Sequence, residues 1–225
     1  VDVTRRVNIP ADIGSRHVLE RDNASSVVNE PTQVVIPDDL EIIEEPVVFI
    51  GAVWPHYGHF ITDGMSKFWG MDRVADLPLL MQARLPVRDH GQGYIHEIHG
   101  RLGLAERGLI SPTRPTLFRK VLAARAAFQH TFRLYDCHQA PHLKVAESIL
   151  AEGGGVAEGP AKVYLTRSRL KSHERGAAEE IELETRLSRE GFEIVAPEQV
   201  AFADQVRLFN AAKWVVGTIG SAFHT

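Results

Sequence analysis

Apolar positions along the chain gather in short runs, alternating between continuous, strand-like stretches and the 3.6-residue spacing of a helix face. Val47-Val48-Phe49-Ile50-Gly51-Ala52-Val53 is one such run and predicts a buried strand. From about Gly58 to Val74, Phe60, Met65, Phe68, Trp69 and Met71 supply an apolar stripe, which predicts a helix that packs its aromatics into a core. A short strand is expected over residues 77–81, a helix over 94–104 ending near Gly103, and a strand over 116–122. A helix over 140–152 follows, with Val145, Ile149 and Leu150 on one face.

Beyond residue 160 the alternation is cleaner. Lys162-Val163-Tyr164-Leu165-Thr166 predicts a strand, 179–190 a helix stopped by Gly191, and Phe192-Glu193-Ile194-Val195 a strand. A helix over 202–212 and a strand at Trp214-Val215-Val216-Gly217 complete the series. Strand and helix in turn argue for an α/β fold with parallel sheets and right-handed crossovers. Residues 1–46, rich in proline and acid, predict an irregular N-terminal segment or a small β element around Gln33-Val34-Val35-Ile36-Pro37. Gly153-Gly154-Gly155, followed by Gly159-Pro160, is the expected linker, dividing a domain at 47–155 from one at 160–225.

Composition narrows the classes. With 25 basic against 29 acidic residues the formal charge is -4, so the chain carries no nucleic-acid footprint. The single cysteine, Cys137, excludes an intramolecular disulfide framework and fits a reducing compartment. No apolar run has the length of a membrane span, and Val1-Asp2-Val3-Thr4-Arg5-Arg6 lacks the apolar core of a signal peptide. The expectation is a cytoplasmic protein, associated with membranes only through partners. The chain does not begin with methionine, which leaves a processed or missing N-terminus open.

Four clusters could carry chemistry. His56, His59 and Asp63, with Tyr57 and Asp72 nearby, follow the first strand, and His59 and Asp63 share a face if the segment is helical. A histidine held by a carboxylate suits general base catalysis; a metal site and a simple capped helix start are the rival readings. His90, His96, Glu97 and His99 resemble metal ligands but are read as a solvated surface. Arg167 and Arg169 stand at the carboxyl end of the 162–166 strand, where open sheets bind ligands. They are suited either to a diphosphate or to surface bridges with Glu174 or Glu179. Val216-Gly217-Thr218-Ile219-Gly220-Ser221 is a strand opening into a glycine-serine turn that lets a phosphate approach the backbone. The chain contains neither a GxGxxG fingerprint nor a GxxxxGK[ST] loop, which argues against the usual NAD enzymes and P-loop NTPases.

In order, Gly58-His59-Phe60-x-x-Asp63, Tyr164-Leu165-Thr166-Arg167, the helix with Glu180, Gly191-Phe192-Glu193-Ile194-Val195-x-Pro197-Glu198, Gln205 and Val216-Gly217-x-x-Gly220-Ser221-Ala222 resemble glycosyltransferase family 61. That group includes bacterial capsular-polysaccharide proteins and eukaryotic xylosyl- and N-acetylglucosaminyltransferases, and the resemblance spans roughly residues 45–225. It implies a GT-B architecture of two Rossmann-like domains, here with the second incomplete. It also implies inverting transfer of a sugar from a nucleotide donor, commonly UDP-linked, to an acceptor hydroxyl, with no cofactor or obligatory metal. By the same resemblance His59 and Asp63 are the base candidates, and Arg167, Arg169, Gly220 and Ser221 contact the donor diphosphate. Glu180 and Gln205 support that donor site. The family continues with further helix and strand units after the glycine-serine turn, and its arginine-rich stretch corresponds here to Lys171-Ser172-His173-Glu174-Arg175. The chain is therefore expected to be a fragment. Two alternatives accompany the transferase: a noncatalytic sugar or nucleotide binder, and a metal-dependent hydrolase built on His56, His59 and Asp63.

Overall fold

The computed structural model describes residues 38–53, 56–83, 93–129, 133–152, 159–170 and 177–225. The expected β piece at 33–37, the glycine triplet 153–155, His90 and the 171–175 stretch lie outside the described residues. The chain divides into two compact units, residues 1–142 and 143–225.

The first unit contains strands β1 (Glu41–Ile43), β2 (Val47–Val53) and β3 (Leu79–Ala83), helix α1 (Gly93–Arg101), and strands β4 (Leu109–Ile110), β5 (Thr116–Phe118), β6 (Val121–Ala123), β7 (Phe128–Gln129) and β8 (Arg133–Leu134). Helix α2 (Gln139–Glu152) begins in this unit and runs on into the second. Four strands pair in parallel in the order β4-β3-β2-β6. A parallel sheet is covered on both faces, which is why β2 reads as continuously apolar: Val47, Val48 and Ile50 are all buried. Phe60, Met65, Phe68 and Met71 are buried as the expected stripe requires, whereas Trp69 is only half-buried and donates its indole N–H to the Arg125 carbonyl at 2.9 Å.

Two local expectations change. The single strand predicted over 116–122 is two strands in different sheets. β5 pairs in parallel with β1 and β6 with β2, the chain switching sheets where Arg119 N–H reaches the Ile43 carbonyl and Val47 N–H the Lys120 carbonyl. The helix predicted over 58–74 is not regular. A single α-turn (Tyr57–His59) passes into a π-helical turn (Phe60–Gly64) and then a 3-10 stretch (Met65–Val74). Side-chain hydroxyls at the junctions compete for backbone acceptors, Thr62 donating to the Gly58 carbonyl at 2.8 Å and Ser66 to the Asp63 carbonyl at 2.5 Å. Arg107 closes the far end, its Nη2 donating to the carbonyls of Val74 and Leu77 at 2.6 Å each.

The second unit is a clean αβ alternation of β9 (Lys162–Leu165), α3 (Ala177–Arg189), β10 (Glu193–Val195), α4 (Phe202–Ala211) and β11 (Trp214–Gly217), ending in a 3-10 turn at Ser221–His224. The three strands are parallel in the order β10-β9-β11. Its core joins Val163, Leu165 and Val195 to Val200, Leu208, Phe209 and Val215. Both units are thus mixed α/β with parallel sheets, compatible with Rossmann-like folding. In each the strand order reverses beside the sheet's first strand, between β2 and β6 in one and between β9 and β11 in the other. Such reversals open a crevice at the carboxyl ends of the strands.

Candidate functional site

In the first unit the crevice side of β2 leads into the histidine-bearing turn. His59 Nδ1 lies 3.4 Å from Asp63 Oδ2, a long contact in which the ring can only donate because a carboxylate only accepts. In that Nδ1–H tautomer Nε2 is the ring nitrogen that accepts a proton. The His59 side chain is 37% exposed and that of Asp63 10%, so the imidazole faces solvent while the carboxylate is sheltered. The His56 ring lies 4.8 Å from that of His59. Among the described residues no group of three or more histidine, cysteine, aspartate or glutamate side chains converges to hold a metal ion.

One residue of this crevice escaped the sequence reading. Lys67 is buried, with 5% of its surface exposed, and its ammonium lies 5.5 Å from the centre of the Phe49 ring. Burial pulls its pKa from 10.5 down to about 8, against the opposing pull of the Asp63 carboxylate. Space for it comes from β2, whose register with β3 shifts between Phe49 and Gly51. Gly51 has φ +87, and a Cβ there would stand 2.5 Å from Lys67 Nζ. A signal did exist: Phe60, Lys67, Phe68 and Met71 fall at i, i+7, i+8 and i+11, one face of a helix.

The second histidine cluster is partly misread as a solvated surface. His99 is buried, its ring 5.7 Å from those of both Phe60 and Phe68, while His96 is exposed and Glu97 pairs with Arg101 at 2.9 Å. Local charge gave no way to see that α1 turns His99 inward.

In the second unit the chain after β9 carries the arginines. Arg167 Nη1 donates to the Ile219 carbonyl at 3.4 Å and lies 3.8 Å from where a Cβ of Gly220 would sit, so the arginine and the glycine turn meet across the strand reversal. Gly217 is needed for that approach, since a Cβ there would stand 2.7 Å from the Leu165 carbonyl oxygen. Ser221 opens the final 3-10 turn. Arg169 is exposed and donates to Gln199 Oε1 at 3.3 Å.

Beneath the arginines two α3 carboxylates hold the strand end. Glu180 accepts the Arg167 backbone N–H at 2.8 Å, and Glu184 accepts the hydroxyls of Thr166 at 2.5 Å and Ser168 at 2.6 Å. The Ser168 N–H in turn donates to Thr166 Oγ1 at 3.0 Å. Burial, with the Glu180 charge behind it, raises the Tyr164 pKa. Glu184 was missed, although its i+4 spacing from Glu180 marks the same helix face. Gln205 is buried and works at a remove. Its amide donates to the carbonyls of Pro197 and Val200 at 2.9 Å each, bracing the turn that presents Gln199 to Arg169.

Among the described residues no helix is long and apolar enough to cross a membrane. The profile of the family described as Glycosyltransferase 61 matches residues 57–225. No curated protein sequence matches the chain, and no solved structure does.

Proposed function

The chain belongs to the glycosyltransferase 61 family, and from that premise we propose an inverting transferase that moves a sugar from a nucleotide donor, UDP-linked, onto an acceptor hydroxyl in polysaccharide or glycan synthesis. Family membership makes it a glycosyltransferase, with a donor and an acceptor as its substrates. The observation that carries the finer reading is the Arg167 guanidinium against the Ile219–Gly220 turn, at the strand reversal of the second sheet. There a cation and a side-chain-free backbone present the two features a diphosphate needs. Arg169 and Ser221 extend the same edge. The two units then correspond to the acceptor-side and donor-side domains of a GT-B enzyme.

In the proposed step His59 Nε2 takes the proton from the acceptor hydroxyl, and Asp63 steadies the imidazolium that results. The acceptor oxygen forms its bond to the anomeric carbon on the face opposite the departing group. The bond from that carbon to the phosphate oxygen breaks with its electron pair, and the nucleoside diphosphate leaves with its charge met by Arg167 and Arg169. Glu180 and Glu184 act through backbone and hydroxyl bonds to aim those arginines. The test is a transfer assay across nucleotide-sugars, with nuclear magnetic resonance of the product anomer. Inverted product, lost in Arg167→Ala and in His59→Ala, is expected; retained configuration, or full transfer by both variants, overturns the reading.

A further inference from the structure

At the surface Arg114 pairs with Glu41, Arg119 with Glu44, Arg186 with Glu182 and Arg207 with Asp204. Arg133 differs. Its Nη1 donates to the Tyr135 hydroxyl at 3.1 Å, and among the described residues no carboxylate pairs with it. A phenol accepts a hydrogen bond but brings no negative charge, so this guanidinium is not neutralised. A second guanidinium, that of Arg125, stands 5.7 Å from the centre of the same ring. Both arginines are exposed and Tyr135 is 37% exposed, so two cations border one accessible aromatic ring.

The backbone puts these groups together and holds them. Tyr135 continues β8 in extended conformation, with φ -100 and ψ 147, and side chains two apart on an extended chain share a face. Arg133 and Tyr135 therefore lie on one side of the strand and Leu134 on the other. Tyr135 N–H donates to the Ala127 carbonyl at 2.8 Å, Ala127 N–H to the Ser66 carbonyl at 2.8 Å, and the Trp69 indole to the Arg125 carbonyl at 2.9 Å. The platform is thus bonded to the same segment that carries His59 and Asp63, and a site fixed before its ligand arrives loses less entropy on binding.

We infer that Arg125, Arg133 and Tyr135 form a binding site for an anionic saccharide, a sugar chain bearing carboxylate or phosphate groups. The apolar C–H face of a sugar ring packs on an aromatic ring, and a guanidinium meets a carboxylate or phosphate as a two-pronged donor. A neutral sugar leaves both cations unanswered. A formal charge of -4, with other arginines paired to acids, provides no extended basic face for a nucleic acid. A lipid surface takes apolar and basic groups from one side, and Leu134 is turned away from Arg133. The inference rests on the reading of the first unit as the acceptor side, where the saccharide held on this platform is the acceptor chain.

The test is isothermal titration calorimetry of the protein with a galacturonate hexamer, with maltohexaose carrying one phosphate monoester, and with plain maltohexaose. A charged oligomer is expected to bind about tenfold or more tightly than the neutral one, and to weaken about tenfold in Arg133→Gln and in Arg125→Gln and on adding salt. Preference for the galacturonate assigns a carboxylate, and preference for the phosphorylated chain a phosphate. Tyr135→Phe keeps the ring and gives a smaller loss than Tyr135→Ala. Equal affinity for charged and neutral oligomers overturns the site, as does charged-oligomer affinity that survives the Arg125→Gln/Arg133→Gln double substitution. Co-sedimentation with vesicles of equimolar phosphatidylcholine and phosphatidylglycerol, lost in that double variant and accompanied by no oligomer binding, overturns it in favour of a lipid surface. If charged oligomers bind as expected and no nucleotide-sugar supports transfer, the saccharide site stands and the transferase mechanism falls. If inverted product forms and none of the oligomers binds, only the site falls.

Discussion

At the strand reversal of the first sheet the cation is buried, whereas at that of the second Arg169 is exposed and Arg167 half-buried. Lys67 fills a hole lined by Gly51 and Phe49, and Arg167 and Arg169 lie along an edge braced from beneath by Glu180, Glu184 and Gln199. Burial keeps the Lys67 charge from a ligand and makes it costly to hold. Exposure makes a charge available to a ligand arriving from water, and a guanidinium loses little on leaving it. One topological device, a reversal of strand order, thus stands beside basic groups in two different electrostatic settings.

The largest test of that contrast is on the exposed side. Arg167→Ala is expected to lower kcat/KM for sugar transfer by about 10²–10³-fold, the usual scale for losing a donor to a developing anion. Arg167→Lys keeps the charge but not the fork and recovers only part of it. Glu184→Gln keeps the helix and weakens the grip on Thr166 and Ser168, so it is expected to give an intermediate loss, about tenfold. The contrast breaks if Glu184→Gln costs as much as Arg167→Ala, because the carboxylate would then be touching substrate.

On the buried side the effect is on stability. Holding the Lys67 ammonium at about 8 where the unfolded chain has 10.5 costs the folded state about 3 kcal/mol at pH 7. Below pH 8 both states are protonated and the whole cost is present. Between about 8 and 10.5 only the unfolded chain binds the proton, so stability rises with pH across that window. Lys67→Met is therefore expected to stabilise the protein in urea at pH 7 by up to about 3 kcal/mol, a figure that already includes the attraction of Asp63. That gain should shrink toward pH 10. A pH-independent gain would show that packing, not charge, is what changed.

Gly217→Ala probes the same exposed edge through the backbone. A methyl group 2.7 Å from the Leu165 carbonyl must push β11 from β9, and about 1–3 kcal/mol of stability should be lost. Because β11 carries the Ile219–Gly220 turn, donor affinity is expected to fall with it. An unaltered affinity would mean that the turn does not contact the donor.

The alternation that fixes the second unit was legible in the sequence, because each of its elements keeps one period and ends at a glycine or a polar break: 162–165, 177–189, 193–195, 202–211 and 214–217 differ from expectation only at their ends. The 57–74 segment was not. Its apolar spacing is helical, but the Thr62 and Ser66 hydroxyls take backbone acceptors and rewind it, a choice made by local hydrogen bonds that periodicity does not report. The same holds at 116–123, where two three-residue strands join partners about seventy residues earlier. Among the candidate site residues, His59, Asp63 and Arg167 were visible as polar groups after strands. Lys67 and Glu184 were hidden because lysine and glutamate on helices are ordinarily solvated, and only the fold reveals one buried and the other gripping two hydroxyls.

The smallest effect belongs to a half-buried histidine of the first unit. His138 stacks on Phe128 at 27°, and its Nδ1 is enclosed without a hydrogen-bond partner. Burial first, then the nearby His142, lowers its pKa from 6.5 to about 4. Above pH 6.5 both folded and unfolded chains hold it neutral. As pH falls from 6.5 toward 4 the unfolded chain takes up a proton that the folded one refuses, so the stability it contributes is lost through that window. His138→Phe keeps the stack and removes the titration, and urea midpoints at pH 7, 5.5 and 4.5 should fall less steeply than in the unsubstituted protein. An unchanged slope would assign the acid sensitivity to carboxylates instead. Lys67 titrates on the alkaline side and His138 on the acid side, so the two substitutions alter opposite ends of one stability profile.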